Sequence, residues 1–361
     1  AAGGTGGHIM PALAVGDALR RYHPGVEVVY LCGQRDLEQS LYANHGESPI
    51  VMPARTLSGG IFGMTRGVAA ACGNILRARR LALERRVRVV LGMGGYVSGP
   101  AVLGGRLAGC RTAIHEANAV AGRANRWLAP LVDLCALHFA ETLPRLNARE
   151  VLRCGMPIRE GLGVADRSDA AHHFGLDPLR PVLLIIGGSQ GARPLYDRLM
   201  AALPMLDCAE HSGTQVLWAA GQANSESLAA RLDAQPLRHL KITVVPFISR
   251  MDLALAIADG AIARAGASTL AELVSCGIPT LFVPYPHAVH DHQTRNAICA
   301  ANCGAGDWIA EADLTPQAVR EKVVGLLARL APGKRQPVPP ELDSRCAARD
   351  LAAALVRLAT R

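Results

Sequence analysis

Val182-Leu183-Leu184-Ile185-Ile186 runs straight into Gly187-Gly188-Ser189-Gln190-Gly191-Ala192-Arg193, which reads as a buried strand, a glycine loop and a helix start. Clustered glycines let a backbone approach a ligand closely, and the helix that follows offers N–H groups to an anion. The same device stands at the other end of the chain. Gly3-Gly4-Thr5-Gly6-Gly7-His8 leads into a helix expected to start near Pro11. It is not Gly-x-Gly-x-x-Gly, because the sixth position is Ile9, so it gives no support to a dinucleotide site. Either loop alone could be a tight turn that needs glycine. Two of them, one per half and each expected at the carboxyl end of a strand, predict a ligand with phosphates held in a cleft between two domains.

Working outward, short β-rich runs alternate with amphipathic segments. Residues 26–31, 87–91, 112–115 and 134–137 read as strands in the first half, and 182–186, 216–220, 242–245, 261–263 and 280–283 in the second. Helical patterns cover 11–22, 67–86 and 315–330. This alternation predicts an α/β chain of two doubly wound, Rossmann-like domains. A length of 361 residues suits two domains. The Gly- and charge-rich stretch 155–169 reads as a linker, and the Pro-rich 332–340 precedes a last helical stretch over 341–358. The expected division is 1–155, 166–335 and a C-terminal helix within 341–361. The chain opens on its first glycine loop with no strand ahead of it. The first strand of a doubly wound sheet is central, so the expectation is a truncated sequence.

Composition narrows the function. Half the residues are hydrophobic and 19% are charged, which excludes a disordered chain. Only 3 Trp, 6 Tyr and 5 Phe are present, too few for a surface that stacks single-stranded nucleic acid. The ten cysteines form no Cys-x-x-Cys pair and read as buried thiols of a reducing compartment. The charge-free runs 89–105 and 273–290 are broken by Gly and Pro, and no signal pattern opens the chain, so a soluble cytoplasmic chain is expected. The net charge of +8 lies wholly in residues 1–155, where 18 Arg and no Lys face 10 acidic residues. Seven of those arginines (66, 77, 79, 80, 85, 86 and 88) fall within 61–88, among Ile61, Phe62, Met64, Ile75 and Leu76. Such a run is either a solvated face or a contact with something anionic. The apolar neighbours favour a membrane face over nucleic acid.

Three further loops carry polar groups. In Arg264-Ala265-Gly266-Ala267-Ser268-Thr269-Leu270-Ala271-Glu272, the pattern Thr269-x-x-Glu272 reads first as a capping box. Its functional alternative is a helix N-terminus holding a diphosphate, with Glu272 accepting from ribose hydroxyls. Gly92-Met93-Gly94-Gly95-Tyr96-Val97-Ser98-Gly99-Pro100 and His115-Glu116-Ala117-Asn118 each end a first-half strand. Together with His8 they gather polar residues at strand ends. His290, Asp291 and His292 are too local for a metal site, and no Asp-x-Asp is present to hold a nucleotide diphosphate through a metal.

Taken together, 3–8, 92–100, His115-Glu116-x-Asn118, Gly155-x-Pro157-Ile158-Arg159, 187–192, 264–272 and Asp291-His292-Gln293 with Asn296 resemble the MurG family of peptidoglycan glycosyltransferases, from Gly3 to about Leu330. The resemblance implies a GT-B fold, with an acceptor domain facing the membrane over 1–155 and a donor domain over 166–335. It implies an inverting transfer of N-acetylglucosamine from UDP-N-acetylglucosamine to the 4-hydroxyl of the muramyl sugar of lipid I, giving lipid II. No metal, no cofactor and no nucleic acid enter. The implied place is the cytoplasmic face of the inner membrane, peripherally. By the same resemblance Arg159, Ser189, Ala267, Ser268, Thr269, Leu270 and Ala271 meet the diphosphate region, and Ile248 meets the uracil through its backbone. Glu272 meets the ribose, Gln293 and Asn118 meet the transferred sugar, and Thr5, Gly6 and Gly7 lie beside it. Tyr96 and Asn125 meet the acceptor. The family has Gln where Ala117 stands and often Asn where Met156 stands, which loosens the acceptor contacts near Ala117. Inversion needs a base for the acceptor hydroxyl. His8 is the candidate because imidazole titrates near working pH, with a purely positioning His8 as the alternative and Glu116 as the rival base. Two other readings stay open: a UDP-sugar 2-epimerase of the same fold, and a nucleotide-sugar binder without catalysis.

Overall fold

The computed structural model of the chain describes residues 1–53, 60–188 and 192–361, and all their side chains except 60–69 and 145. Two compact units emerge. Unit one is Ala1–Arg159 with Ser344–Arg361, and unit two is Glu160–Asp343.

Unit one runs α1 (Gly6–Tyr22), β1 (Leu31–Cys32), α2 (Asp36–Ala43), β2 (Ile50–Val51), α3 (Gly60–Glu84), β3 (Val89–Gly92), α4 (Ser98–Leu107), β4 (Arg111–Glu116), α5 (Arg123–Leu128), β5 (Leu134–Leu137) and β6 (Val151–Arg153). All its strands are parallel, in the pairs β1–β2 and the series β3–β4–β5–β6. Residues 1 and 2 lie between these two sheets. Ala2 N–H donates to Leu31 O, while the Ala1 ammonium donates to Leu91 O and Met93 N–H donates to Ala1 O. They therefore hold the central position from which the chain winds in both directions, the switch point of a doubly wound sheet. The strand expected over 26–31 is present only as Leu31–Cys32. A ladder needs a hydrogen-bonded neighbour, and alongside 26–30 and 87–90 there is instead an apolar cavity of about 560 Å³, walled also by Leu19, Ala78, Leu81 and Leu355.

Unit two runs α6 (Arg167–Phe174), β7 (Val182–Ile186), α7 (Arg193–Leu206), β8 (Gln215–Ala219), α8 (Ser225–Asp233), β9 (Lys241–Val245), α9 (Met251–Ile257), β10 (Gly260–Ala263), α10 (Ala267–Ser275), β11 (Thr280–Phe282), α11 (His292–Asn302), β12 (Asp307–Trp308) and α12 (Pro316–Leu327). Its six parallel strands lie in the order β12-β11-β10-β7-β8-β9, so the winding reverses between β7 and β10. Buried Asp259 locks that seam: its carboxylate accepts from Val182 N–H at the start of β7 (2.9 Å) and from both Arg167 NH groups (2.9 and 2.7 Å). The core is the aliphatic residues of β7, β8 and β10 packed on Leu195, Leu199 and Leu203 of α7 and Val319, Val323 and Leu326 of α12.

The last helix, α13 (Ala347–Ala359), returns to unit one. Ala14 and Ala18 of α1 meet Ala348 and Ala352 of α13, and these small side chains let the two backbones approach closely. Leu351, Leu355 and Leu358 then join the core formed by Ile9, Leu13 and Val15.

Candidate functional site

In unit one the glycine loop is itself the helix start. α1 begins at Gly6, not near Pro11, with His8 and Ile9 N–H donating to Thr5 O (3.1 and 3.3 Å). Pro11 sits inside the helix, where its missing N–H forfeits only the bond to Gly7 O and the glycine tolerates the ring. Gly4 takes φ 93°, a left-handed turn that brings the loop round. His8 then lies in the first turn. Its Nδ1 is 3.0 Å from Gly3 O. A carbonyl can only accept, so Nδ1 carries a proton, and in the neutral ring Nε2 holds the lone pair. The ring rests on Gly94, where a Cβ would lie 2.5 Å from His8 Cδ2. Thr5 and Gly7 are exposed, and Gly6 is half-buried.

Glu116 is placed very differently. It is 2% exposed, at the end of β4. Oε1 accepts from Asn118 N–H (3.0 Å) and Nδ2 (3.3 Å), and Oε2 from Gly122 N–H (2.8 Å) and Asn125 Nδ2 (2.8 Å). A carboxylate committed to four donors is held in place and fixes the 116–125 loop. Asn125 is buried as well, with its amide donating to His115 O and Glu116. Asn118 is half-buried, and its carbonyl accepts from Thr142 Oγ1 (2.8 Å). Beneath this loop burial keeps His115 neutral, its Nε2 2.9 Å from Gly155 O. Burial also pushes His138 down to about 3, with neither ring nitrogen partnered. Tyr96 is 38% exposed, and its hydroxyl donates to Glu38 Oε1 (2.9 Å). Burial and that bond push the phenol up to about 12. The half-buried Arg159 ends the unit with a buried Nε that lacks a hydrogen-bond partner.

In unit two the loops after β7 and β10 flank the winding reversal, where an α/β sheet opens to ligands. Ser189 lies outside the described residues. The capping-box expectation fails: α10 begins at Ala267 behind Gly266, so Thr269 is the third helical residue and caps nothing. Leu270 N–H makes the first intrahelical bond, to Gly266 O (2.9 Å). The N–H groups of Ala267, Ser268 and Thr269 precede it and form the positive end of the helix. Leu270 and Ala271 are buried, and Glu272 is half-buried one turn on. The loop is tied from below. Asn296 Nδ2 donates to Ala265 O (3.1 Å), and buried Arg264 donates to Val283 O and Pro284 O and pairs with Glu311. Tyr285 N–H donates to Gln293 Oε1 (3.0 Å), which orients that side chain's amide. His290 and Asp291 just ahead hold φ of 55° and 53°, a strained turn of the kind that gathers at binding loops. Ile248 is buried beside exposed Phe247.

Of the arginine run, Arg77, Arg79, Arg80, Arg85, Arg86 and Arg88 are exposed, with Leu76 and Leu83 showing 63% and 49% of their surface among them. Ile75 is half-buried, and the side chains of Ile61, Phe62, Met64 and Arg66 lie outside those described. No helix among the described residues is long and apolar enough to cross a membrane. Glu38, the buried partner of Tyr96, is the residue that sequence reasoning missed. A lone Glu in an amphipathic helix gives no sign that it faces inward.

The glycosyltransferase family 28 N-terminal domain matches residues 1–136, and the family's C-terminal domain matches 182–336. The UDP-N-acetylglucosamine–N-acetylmuramyl-(pentapeptide) pyrophosphoryl-undecaprenol N-acetylglucosamine transferase of Desulforudis audaxviator is 37% identical, covering 92% of this chain and 88% of its own. The Acidothermus cellulolyticus protein of the same name is 38% identical, covering 92% and 90%. Among solved structures, Acinetobacter baumannii MurG superposes with a TM-score of 0.72 at 29% identity, covering 99% of this chain and 97% of its own. The UDP-GlcNAc 2-epimerase of Neisseria meningitidis reaches 0.66 at 10% identity over 98% of each chain, a likeness of fold alone.

Proposed function

The chain belongs to the MurG family of glycosyltransferases, and from that premise we propose how its residues divide the work. The reaction is transfer of N-acetylglucosamine from UDP-N-acetylglucosamine to the undecaprenyl-pyrophosphoryl muramyl pentapeptide, lipid I, yielding lipid II. Unit two takes the donor. The first turn of α10 meets the diphosphate, Glu272 the ribose, Ile248 the uracil and Gln293 the sugar. The α10 N-terminus supports this reading because its positive end stabilises the charge that develops on departing UDP without a metal. Arg159, with its orphaned buried Nε, is suited to the same anion, as is Ser189. Unit one takes lipid I, with Thr5, Gly6, Gly7, Tyr96 and Asn118 around the reacting sugars.

His8 is the base. The observation that carries this is the Nδ1 contact with Gly3 O, which leaves the lone pair on Nε2, against a Glu116 carboxylate already holding four donors. Nε2 takes the proton of the acceptor 4-hydroxyl as that oxygen attacks the anomeric carbon from the face opposite UDP, which inverts the configuration. Asn125 acts through Glu116 by holding the loop. The exposed arginines and leucines of α3 approach the anionic cytoplasmic face of the inner membrane, where the lipid acceptor resides.

The test is UDP release with and without a soluble lipid I analogue. Release that depends on the analogue and is matched by a new disaccharide product supports the transfer. UDP release with N-acetylmannosamine and no acceptor would mean an epimerase, and binding without release a non-catalytic carrier.

A further inference from the structure

Glu38 lies in the first turn of α2 with none of its surface exposed. Its Oε2 accepts from Gly33 N–H (2.6 Å), and its Oε1 from Tyr96 Oη–H (2.9 Å). A buried carboxylate is costly unless its oxygens are satisfied, so a fold that keeps one has a use for the geometry it imposes. Here two glycines, Gly3 and Gly33, pack directly against it. A Cβ on Gly33 would sit 1.7 Å from Tyr96 Oη and 2.6 Å from Glu38 Oε2. One on Gly3 would sit 2.9 Å from the same Oε2, and one on Gly95 would sit 2.1 Å from Gly3 O. Three loops thus converge on a single carboxylate: residues 2–5, residues 33–35 and residues 94–96. Arg35 Nη1 adds a long contact to Gly4 O (3.4 Å).

Gly3 is the link to the chemistry, because its carbonyl is the acceptor that orients His8. We propose that Glu38 is a positioning residue for this enzyme, holding Gly3 and Tyr96 in register so that His8 keeps its Nδ1–H tautomer and aims Nε2 at the acceptor hydroxyl. It touches no substrate and exchanges no proton. The proposal rests on the assignment of His8 as base for its effect on turnover, though not for its effect on His8 itself.

Two readouts separate those dependences. Imidazole ¹⁵N spectra of the full chain, with the His8 signals assigned from a His8→Gln sample, report the tautomer directly. Steady-state kinetics report turnover on UDP-N-acetylglucosamine and a soluble lipid I analogue. Glu38→Ala removes both bonds. It should turn the His8 signal from a single Nδ1–H tautomer into an averaged one and lower kcat at least ~10-fold, with the KM for UDP-N-acetylglucosamine within about twofold of the parent. Glu38→Gln keeps the shape and can still accept from Gly33 N–H while its amide donates to a turned Tyr96 hydroxyl, so it should restore both readouts to near parent. Where Glu38→Ala gives no folded protein, Glu38→Asp withdraws the carboxylate by one methylene and makes the same test. An unchanged His8 tautomer in a folded Ala or Asp variant overturns the proposal. A disturbed tautomer with unchanged kcat upholds the positioning of His8 and removes His8 as base.

Discussion

The two units share one winding scheme and carry opposite charge. Unit one holds 23 basic residues, all Arg, against 11 acidic ones, and unit two 15 against 19. The site loops picked out in the two units are also held by different groups. In unit one buried carboxylates collect backbone N–H groups: Glu38 from Gly33, and Glu116 from Asn118 and Gly122. In unit two Arg264 and Asn296 collect backbone carbonyls, those of Val283, Pro284 and Ala265. A loop whose carbonyls are taken turns its N–H groups outward, which suits a nucleotide diphosphate. A loop whose N–H groups are taken has only its carbonyls and side chains left for polar work. On the proposed division, turnover in unit one rests on the His8 side chain, and donor binding in unit two rests on the α10 N–H groups together with Glu272 and Gln293. Mutations should consequently hit turnover in the first unit and donor affinity in the second.

The largest expected effect tests that division at His8. His8→Ala should lower kcat ~10²–10⁴-fold, the range for losing a positioned base, with the donor KM nearly unchanged. Turnover within a few-fold of the parent would break the assignment. Glu116→Gln places an amide among four N–H donors and should lower the melting temperature along with the activity, as a support does.

The charge difference comes next. Replacing Arg77, Arg79 and Arg80 with Gln should weaken partition onto anionic vesicles by roughly 10-fold or more, and increasingly so at low salt. Turnover on a short-chain soluble acceptor should be nearly unaffected. The Arg80–Glu84 pair (2.6 Å) already neutralises part of this face, so Arg77 and Arg79 should carry most of the loss. Parent-like vesicle binding would reduce the run to a solvated face.

A smaller effect is expected at Glu272. Its replacement by Ala should raise the KM for UDP-N-acetylglucosamine by about 10-fold, the worth of one or two ribose hydrogen bonds. It should also narrow the preference for UDP over TDP donors while kcat holds. Equal donor affinity in a folded variant would remove the ribose contact.

These residues differ in how far they could be read without coordinates. Strands made of continuous aliphatic residues were legible almost to the residue: 134–137 and 182–186 match β5 and β7. Short strands at the edges, β2, β6 and β12, were not. Two or three residues carry no period, and only their neighbours make them strands. Site loops were legible because glycine runs and polar clusters stand out against apolar strands. Their supports were not, since Glu38 and Arg264 look like ordinary surface charges until the fold buries them. Capping was misread at Thr269 for a related reason. Gly266 already supplied the turn, and the helix started two residues before the hydroxyl.

The last effect concerns stability and again separates the units. The two histidines that burial holds neutral, His115 and His138, both belong to unit one. His138 is pushed down to about 3 from an ordinary value near 6.5, with both nitrogens buried and unpartnered. Between those two values the unfolded chain takes up a proton that the folded chain refuses. The stability that His138 permits is therefore whole above about pH 6.5 and is lost as pH falls towards 3, at about 1.4 kcal/mol per pH unit. The His138 backbone N–H also donates to Glu116 O (3.1 Å), so the strain falls on the loop that Glu116 holds. A ring of similar size without nitrogens gives up no hydrogen bond here, so His138→Phe should be nearly neutral at pH 8 and stabilising at pH 5. Calorimetric scans of parent and variant across that range should show the variant's lower-pH melting temperatures raised by a few degrees. A parallel decline in both would mean that His138 finds a proton-accepting partner in solution, and the acid sensitivity of unit one would then rest on His115.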